Sequence, residues 1–97
     1  MKKAEKARRR DIHRLLDLAL DINGLGERKR SVTGCRPTVF FEYSGHVAKI
    51  RVDVHRYGWE PDQGPDFCVS AYTDGSAGLC DAVRELEGCI AGERIVG

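Results

Sequence analysis

The chain has 97 residues, of which 41% are apolar and 32% are charged, and its formal net charge is +1. This length fits one domain, and the composition is that of a globular protein and excludes an intrinsically disordered chain. No apolar run approaches the roughly 18 residues of a membrane span, and the basic start lacks the apolar stretch of a secretory signal. We therefore expect a single cytoplasmic domain over residues 1–97 with no membrane contact, whose four cysteines are reduced thiols.

The first predicted element is a helix. Its apolar residues recur at spacings of three and four, which places them on one face. These residues are Ile12, Leu15, Leu16, Ala19 and Ile22. Asn23-Gly24 is expected to end the helix, because glycine readily takes the left-handed conformation found at helix C-termini. Residues 1–10 are interpreted as a basic arm or an exposed helix extension, and residues 11–97 as the globular core.

A β-hairpin is predicted around Ser44-Gly45, because apolar residues alternate on both sides of this turn. A two-residue loop would pair Tyr43 with His46, and in that register the apolar faces of the two strands coincide. A third strand follows a loop rich in glycine and proline. The residues expected on the apolar face of the three strands are Val39, Phe41, Tyr43, Ala48, Ile50, Val52, Val54, Phe67, Val69 and Ala71.

A second helix is predicted from about Ser76, with its apolar residues again at helical spacing. These residues are Leu79, Ala82, Val83, Leu86 and Ile90. The predicted fold class is α+β in the order α-β-β-β-α, a three-stranded antiparallel meander with two helices packed on one face. The other face of the sheet is then open.

The open face of the sheet is the first candidate site. The predicted register puts Phe40 opposite Lys49, and Tyr72 close to Lys49 or Arg51. Aromatic rings beside cations on an open sheet stack nucleic-acid bases or anchor a protein partner, although the same arrangement also arises from ordinary cross-strand packing. The loop after the second strand adds a tryptophan and three acids. The predicted partner-binding residues are Phe40, Lys49, Arg51, Tyr72, Trp59, Glu60, Asp62 and Asp66.

The basic residues of the first third of the chain form the second candidate site. Residues 1–36 carry a net charge of +6 and residues 37–97 a net charge of −5. Clustered cations of this kind neutralise phosphates in nucleic-acid-binding proteins, but they also serve as solvated faces that keep a small protein soluble. The residues predicted for the nucleic-acid alternative are Lys2, Lys3, Lys6, Arg8, Arg9, Arg10, Arg28, Lys29 and Arg30.

The sequence contains no established catalytic motif and no close Cys or His pair of the kind that binds zinc. Only His55 and Cys68 share a face on adjacent predicted strands, so they are the candidates for a zinc ligand pair or for a Cys-His nucleophile. We expect neither a cofactor nor an enzymatic activity, with zinc at these two residues as the alternative.

The element order resembles that of the double-stranded-RNA-binding domain over about residues 11–92. That family contacts RNA through a lysine cluster at the start of its last helix, where this chain has DGSAGLCDAVRELE, so the RNA contacts are not carried over. The segment INGLGERKR, followed by PTVFFEYSGHV and a later GW, is similar to short proteins of phages and mobile elements of Gram-positive bacteria. That resemblance, together with the analogy to anti-CRISPR proteins, implies a non-enzymatic inhibitor that docks on a host nucleic-acid-handling protein such as a Cas nuclease. The alternative is a nucleic-acid-binding module that uses the basic arm and the open sheet face.

Overall fold

The computed structural model describes residues 2–28 and 36–93. Helix α1 (Lys3–Asn23) is followed by strands β1 (Thr38–Ser44), β2 (Lys49–His55) and β3 (Phe67–Tyr72), and then by helix α2 (Ala77–Glu93). The strands form one antiparallel sheet in the order β1-β2-β3. The predicted meander between two helices is therefore confirmed.

Helix α1 begins at Lys3, so the basic residues from Lys3 to Arg10 belong to the helix. It ends as predicted at Gly24, which has a φ of 73° and donates its backbone N–H to the carbonyl of Leu20 at 2.7 Å. The predicted apolar stripe was wrong at one position, because Leu16 is 41% exposed whereas Leu18 is 3% exposed. At about 100° per residue, Leu18 lies about 50° from the centre of the buried stripe and Leu16 about 110° from it.

The connection between β1 and β2 is longer than predicted. Ser44 pairs with Lys49, so residues 45–48 form a four-residue loop. Tyr43 pairs with Ile50, which lies four positions beyond its predicted partner. Because this shift is an even number of residues, the side chains within the strands stay on their predicted faces. The hairpin was therefore correct, but its register was wrong.

Ala48 belongs to this loop and not to β2. Its φ is 53°, a left-handed conformation that costs a residue with a Cβ atom about 1 kcal/mol. Its carbonyl oxygen accepts hydrogen bonds from the backbone N–H of Thr73 at 2.7 Å and from the Thr73 hydroxyl at 3.3 Å. These bonds tie the hairpin loop to the turn that follows β3 and help to hold the strained residue in place.

The core lies between the sheet and the two helices. Helix α1 contacts β1 and α2, and α2 also contacts β3, so both helices cover the same face of the sheet. The buried apolar side chains of this core are Leu15, Leu18, Ala19, Ile22, Ile50, Val52, Val54, Val69, Ala71, Leu79, Ala82 and Leu86. Tyr43, which was also expected on this face, is 63% exposed near the end of β1. None of the described helices is long and apolar enough to cross a membrane.

Candidate binding surfaces

The open face of the sheet presents its side chains in cross-strand rows. The rows are Phe40-Asp53-Cys68, Glu42-Arg51-Ser70 and Ser44-Lys49-Tyr72. Phe40 therefore lies opposite Asp53, and the predicted position opposite Lys49 was wrong because the hairpin loop is four residues long. The predicted position of Tyr72 beside Lys49 is confirmed.

Two half-exposed aromatic rings mark opposite corners of this face. The ring of Tyr72 is 58% exposed and lies 5.8 Å from Nζ of Lys49, within the range of a cation–π contact. The ring of Phe40 is 42% exposed and meets the ring of His55 edge to face, with centroids 5.5 Å apart. Two strand spacings and four residues of strand length separate the two corners, which corresponds to about 17 Å.

Arg51 lies at the centre of the face, in the row between the two aromatic corners. Its Nε donates to Oδ1 of Asp53 at 2.7 Å, and its side chain remains 46% exposed. The cations of the face, Lys49 and Arg51, are balanced by the acids Glu42 and Asp53. A surface without net charge has little long-range attraction for a phosphate backbone. Its chemistry suits a protein partner better than a nucleic acid.

In the sheet register His55 and Cys68 are diagonal neighbours and do not lie directly opposite each other. His55, expected on the open face, is only 7% exposed, because it ends β2 with its ring against Phe40. Cys68 lies opposite Asp53 instead. Partial burial and the neighbouring Asp53 carboxylate raise the pKa of the Cys68 thiol, so this residue lacks the lowered pKa of an activated nucleophile. Within residues 2–28 and 36–93, no group of three or more His, Cys, Asp or Glu side chains could hold a metal ion.

The loop between β2 and β3 is closed at its base by Asp66. The Asp66 carboxylate accepts hydrogen bonds from the backbone N–H of Arg56 at 3.0 Å and from Nε of Arg56 at 2.9 Å. Partial burial raises the pKa of Asp66, but these hydrogen bonds outweigh burial and the net shift is downward. Asp66 thus has a structural role that its sequence position did not indicate. The other predicted residues of this loop are exposed: Trp59, Glu60 and Asp62.

The cations at the start of α1 lie on the side of the helix that faces away from the core. At about 100° per residue, they occupy an arc of about 120° opposite the buried stripe. We call this set the basic stripe, and it consists of Lys2, Lys3, Lys6, Arg9 and Arg10. Arg8 projects towards the core side of the helix and is half-buried, so it does not belong to the stripe.

The charge of the basic stripe is poorly compensated. Arg10 pairs with Asp11 at 3.3 Å, whereas the side chains of the other four cations have no hydrogen bond or ion pair with any described residue. Lys2 occupies the N-cap position without a side-chain capping bond. Cations at this end oppose the helix dipole, and cations three or four residues apart repel each other. Such a conflict between sequence and local structure is typical of functional sites.

Arg28, a predicted phosphate contact, fastens the end of α1 to the start of β1. Its Nη2 donates to the backbone carbonyls of Asn23 at 2.6 Å and Pro37 at 2.7 Å, and its Nη1 donates to Oγ1 of Thr38 at 3.2 Å. Burial lowers the pKa of Arg28. Arginine side chains near a helix C-terminus often donate to the last carbonyls of the helix. The position of Arg28 shortly after α1 is therefore the sequence feature that could have predicted this role. Two further predicted cations lie outside the described residues, Lys29 and Arg30.

The two surfaces point to opposite sides of the molecule. Both helices cover the apolar face of the sheet, and the basic stripe lies on the side of α1 away from that face. The open face lies beyond the sheet. The predicted nucleic-acid alternative uses both the basic arm and the open face, which lie on different sides of the fold.

No protein-family model, no curated protein and no solved structure matches this chain.

Proposed function

We propose that this chain is a small, non-enzymatic, cytoplasmic binding protein that docks on a protein partner through its open sheet face. The observation that carries the proposal is the uncovered face itself, with Phe40 and Tyr72 at opposite corners and Arg51 between them. Tyrosine and arginine are enriched among the residues that dominate protein–protein binding energy. A half-exposed phenylalanine adds apolar area that a partner can bury.

The charge around this face indicates the chemistry of the partner. The loop at one end carries Glu60 and Asp62, and the turn at the other end carries Asp74, all exposed. An acidic rim around a neutral centre complements a basic groove and favours fast association with it. Proteins that handle nucleic acids present such grooves.

We therefore propose a host nucleic-acid-handling protein, such as a Cas nuclease, as the partner. The chain would then act as an inhibitor from a phage or mobile element. The resemblance of its INGLGERKR and PTVFFEYSGHV segments to short proteins of that origin supports this choice.

The size of the face sets a further requirement. Three strands of about 20 Å and a spacing of about 4.8 Å give roughly 300 Å², whereas a stable interface covers about 800 Å² per partner. The loops at both ends must contribute the remaining area. Trp59, 42% exposed in the β2–β3 loop, is the largest side chain available there.

The test measures DNA cleavage by purified RNA-guided nucleases of the host, with and without the chain. Stoichiometric wild-type chain is expected to reduce cleavage, and the variant Phe40→Ala/Tyr72→Ala to inhibit at least tenfold less, because two binding anchors are lost. Both side chains are half-exposed, so the variant should keep its circular dichroism spectrum. Lys6→Glu/Arg9→Glu, on the opposite side of the molecule, is the control and should inhibit normally.

Two outcomes would contradict the proposal. If the wild-type chain neither changes cleavage nor binds the nucleases in calorimetry, these nucleases are not the partner. If Phe40→Ala/Tyr72→Ala inhibits as well as the wild type, the open face is not the docking surface.

A further inference from the structure

We infer that the basic stripe of α1 is a second and independent binding site, and that its ligand is the phosphate backbone of duplex DNA. The inference does not depend on the proposed protein partner. Its starting observation is a row of cations on one side of a regular helix, and the side chains of four of them have no described partner. Glu5 is the only acid among residues 2–10.

The position of the stripe makes it accessible. The buried residues of α1 begin at Leu15, and residues 2–6 are all exposed. The stripe therefore occupies the part of the helix that precedes the core. Further along the same side of the helix, Asp17 and Asp21 replace the cations, so the positive surface is confined to the first turns.

The dimensions match a DNA duplex. Lys2 and Arg10 are eight residues apart, which corresponds to about 12 Å of helix. B-form DNA carries one negative charge per about 1.7 Å of its axis, so this length faces about seven phosphate charges. An α-helix, about 10–12 Å across, also fits the DNA major groove, which is about 12 Å wide. The major groove of A-form RNA is deep and narrow, so the same geometry favours DNA.

The energetics of the helix agree with this assignment. The cations destabilise the free helix by opposing its dipole and by repelling each other, and a polyanion removes both effects when it binds. The open sheet face lies on the other side of the molecule and has balanced charge. The chain can therefore hold DNA at one side while a protein occupies the other.

The test measures fluorescence anisotropy of a labelled 20-base-pair DNA duplex titrated with the wild-type chain at 50 and 200 mM salt. Four to five phosphate contacts predict a slope of about −3.6 to −4.5 in a plot of log K against log salt. The fourfold rise in salt should then weaken binding about 150- to 500-fold. The same titration with duplex RNA of equal sequence should give weaker binding.

A pair of matched variants separates the stripe from the overall charge of the protein. Lys6→Glu/Arg9→Glu and Arg36→Glu/Arg84→Glu change the net charge equally, but the second pair consists of exposed arginines outside both the stripe and the open face. The first should weaken DNA binding at least tenfold and make the salt slope shallower by about two, and the second should stay within threefold of the wild type. Glutamates near the start of α1 suit the helix dipole better than cations do, so Lys6→Glu/Arg9→Glu should melt no lower than the wild type.

Three results would overturn the inference. The first is no detectable binding of DNA at 50 mM salt. The second is an equal loss of binding in the two charge-reversal variants, which would mean that only the net charge matters. The third is tighter binding of duplex RNA than of DNA, which would replace the proposed ligand.

Discussion

Replacement of Arg28 by alanine tests how α1 is fastened to the sheet. The guanidinium donates to the carbonyls of Asn23 and Pro37 at 2.6 and 2.7 Å and to the hydroxyl of Thr38 at 3.2 Å. Each hydrogen bond from a charged group contributes about 1.5–3 kcal/mol. Opposing this, the guanidinium is partly buried, and its Nε has no hydrogen-bond partner among the described residues. We expect a net loss of about 2 kcal/mol in the free energy of unfolding.

The assay is urea denaturation followed by circular dichroism at 222 nm. In a domain of this size, about 2 kcal/mol corresponds to a fall in melting temperature of roughly 8–16 °C. Arg28→Lys keeps the charge but has one compact ammonium group in place of the planar fork, so it should recover only part of the loss. Arg36→Ala is the control, because this neighbouring arginine donates one exposed side-chain hydrogen bond, to the carbonyl of Glu27 at 3.2 Å. The control substitution should change the free energy of unfolding by no more than about 0.5 kcal/mol.

The reasoning is refuted if Arg28→Ala and Arg36→Ala have the same urea midpoint. In that case the partly buried guanidinium of Arg28 would not hold α1 to β1. A full recovery by Arg28→Lys would show that charge at this position matters and that the geometry of the fork does not.

Three further predictions concern single residues. In urea denaturation, Leu18→Ala should lose about 2–4 kcal/mol of stability because it opens a core cavity. Leu16 is half-exposed, so Leu16→Ala should lose less than about 1 kcal/mol. Equal losses would contradict the assignment of Leu18, and not Leu16, to the buried face of α1. Ala48→Gly should gain about 0.5–1 kcal/mol, because the strain relieved at a φ of 53° exceeds the entropy that glycine adds to the unfolded chain. Gly45→Ala, whose Cβ would meet no atom within 4 Å, should gain about 0.4–1 kcal/mol because alanine restricts the unfolded chain. A lower melting temperature for either variant would disprove this. The pKa of Asp66 is lowered in the folded state, so its stabilising contribution is complete above its ordinary pKa of about 3.9 and is lost as the pH falls through the folded value. Urea midpoints of Asp66→Asn and wild type should therefore differ at pH 7 and approach each other as the pH is lowered below about 3.9, and parallel curves would contradict the pairing of Asp66 with Arg56.

The order of the elements and the face on which most side chains lie can be predicted from the amino-acid sequence. Both follow from local periodicity. The loop between β1 and β2 shifts the register by an even number of residues from the predicted one. Phe41 and Val52 therefore have other cross-strand partners than predicted, but their side chains stay on the predicted face. The end of α1 at Gly24 was equally local, because the left-handed residue needs only its own backbone. The exposure of Leu16 escaped prediction because the spacing rule accepts residues at the margin of a stripe.

Contacts between residues of distant segments are visible only in the folded chain. The burial of His55 against Phe40, the fastening role of Arg28 and the ion pair between Arg14 and Glu87, 3.1 Å apart, all join residues that local periodicity does not relate. The same is true of the two binding surfaces, which lie on opposite sides because both helices cover the same face of the sheet. A periodic pattern places a residue on a face of its own element, but contacts between elements depend on how the whole chain packs.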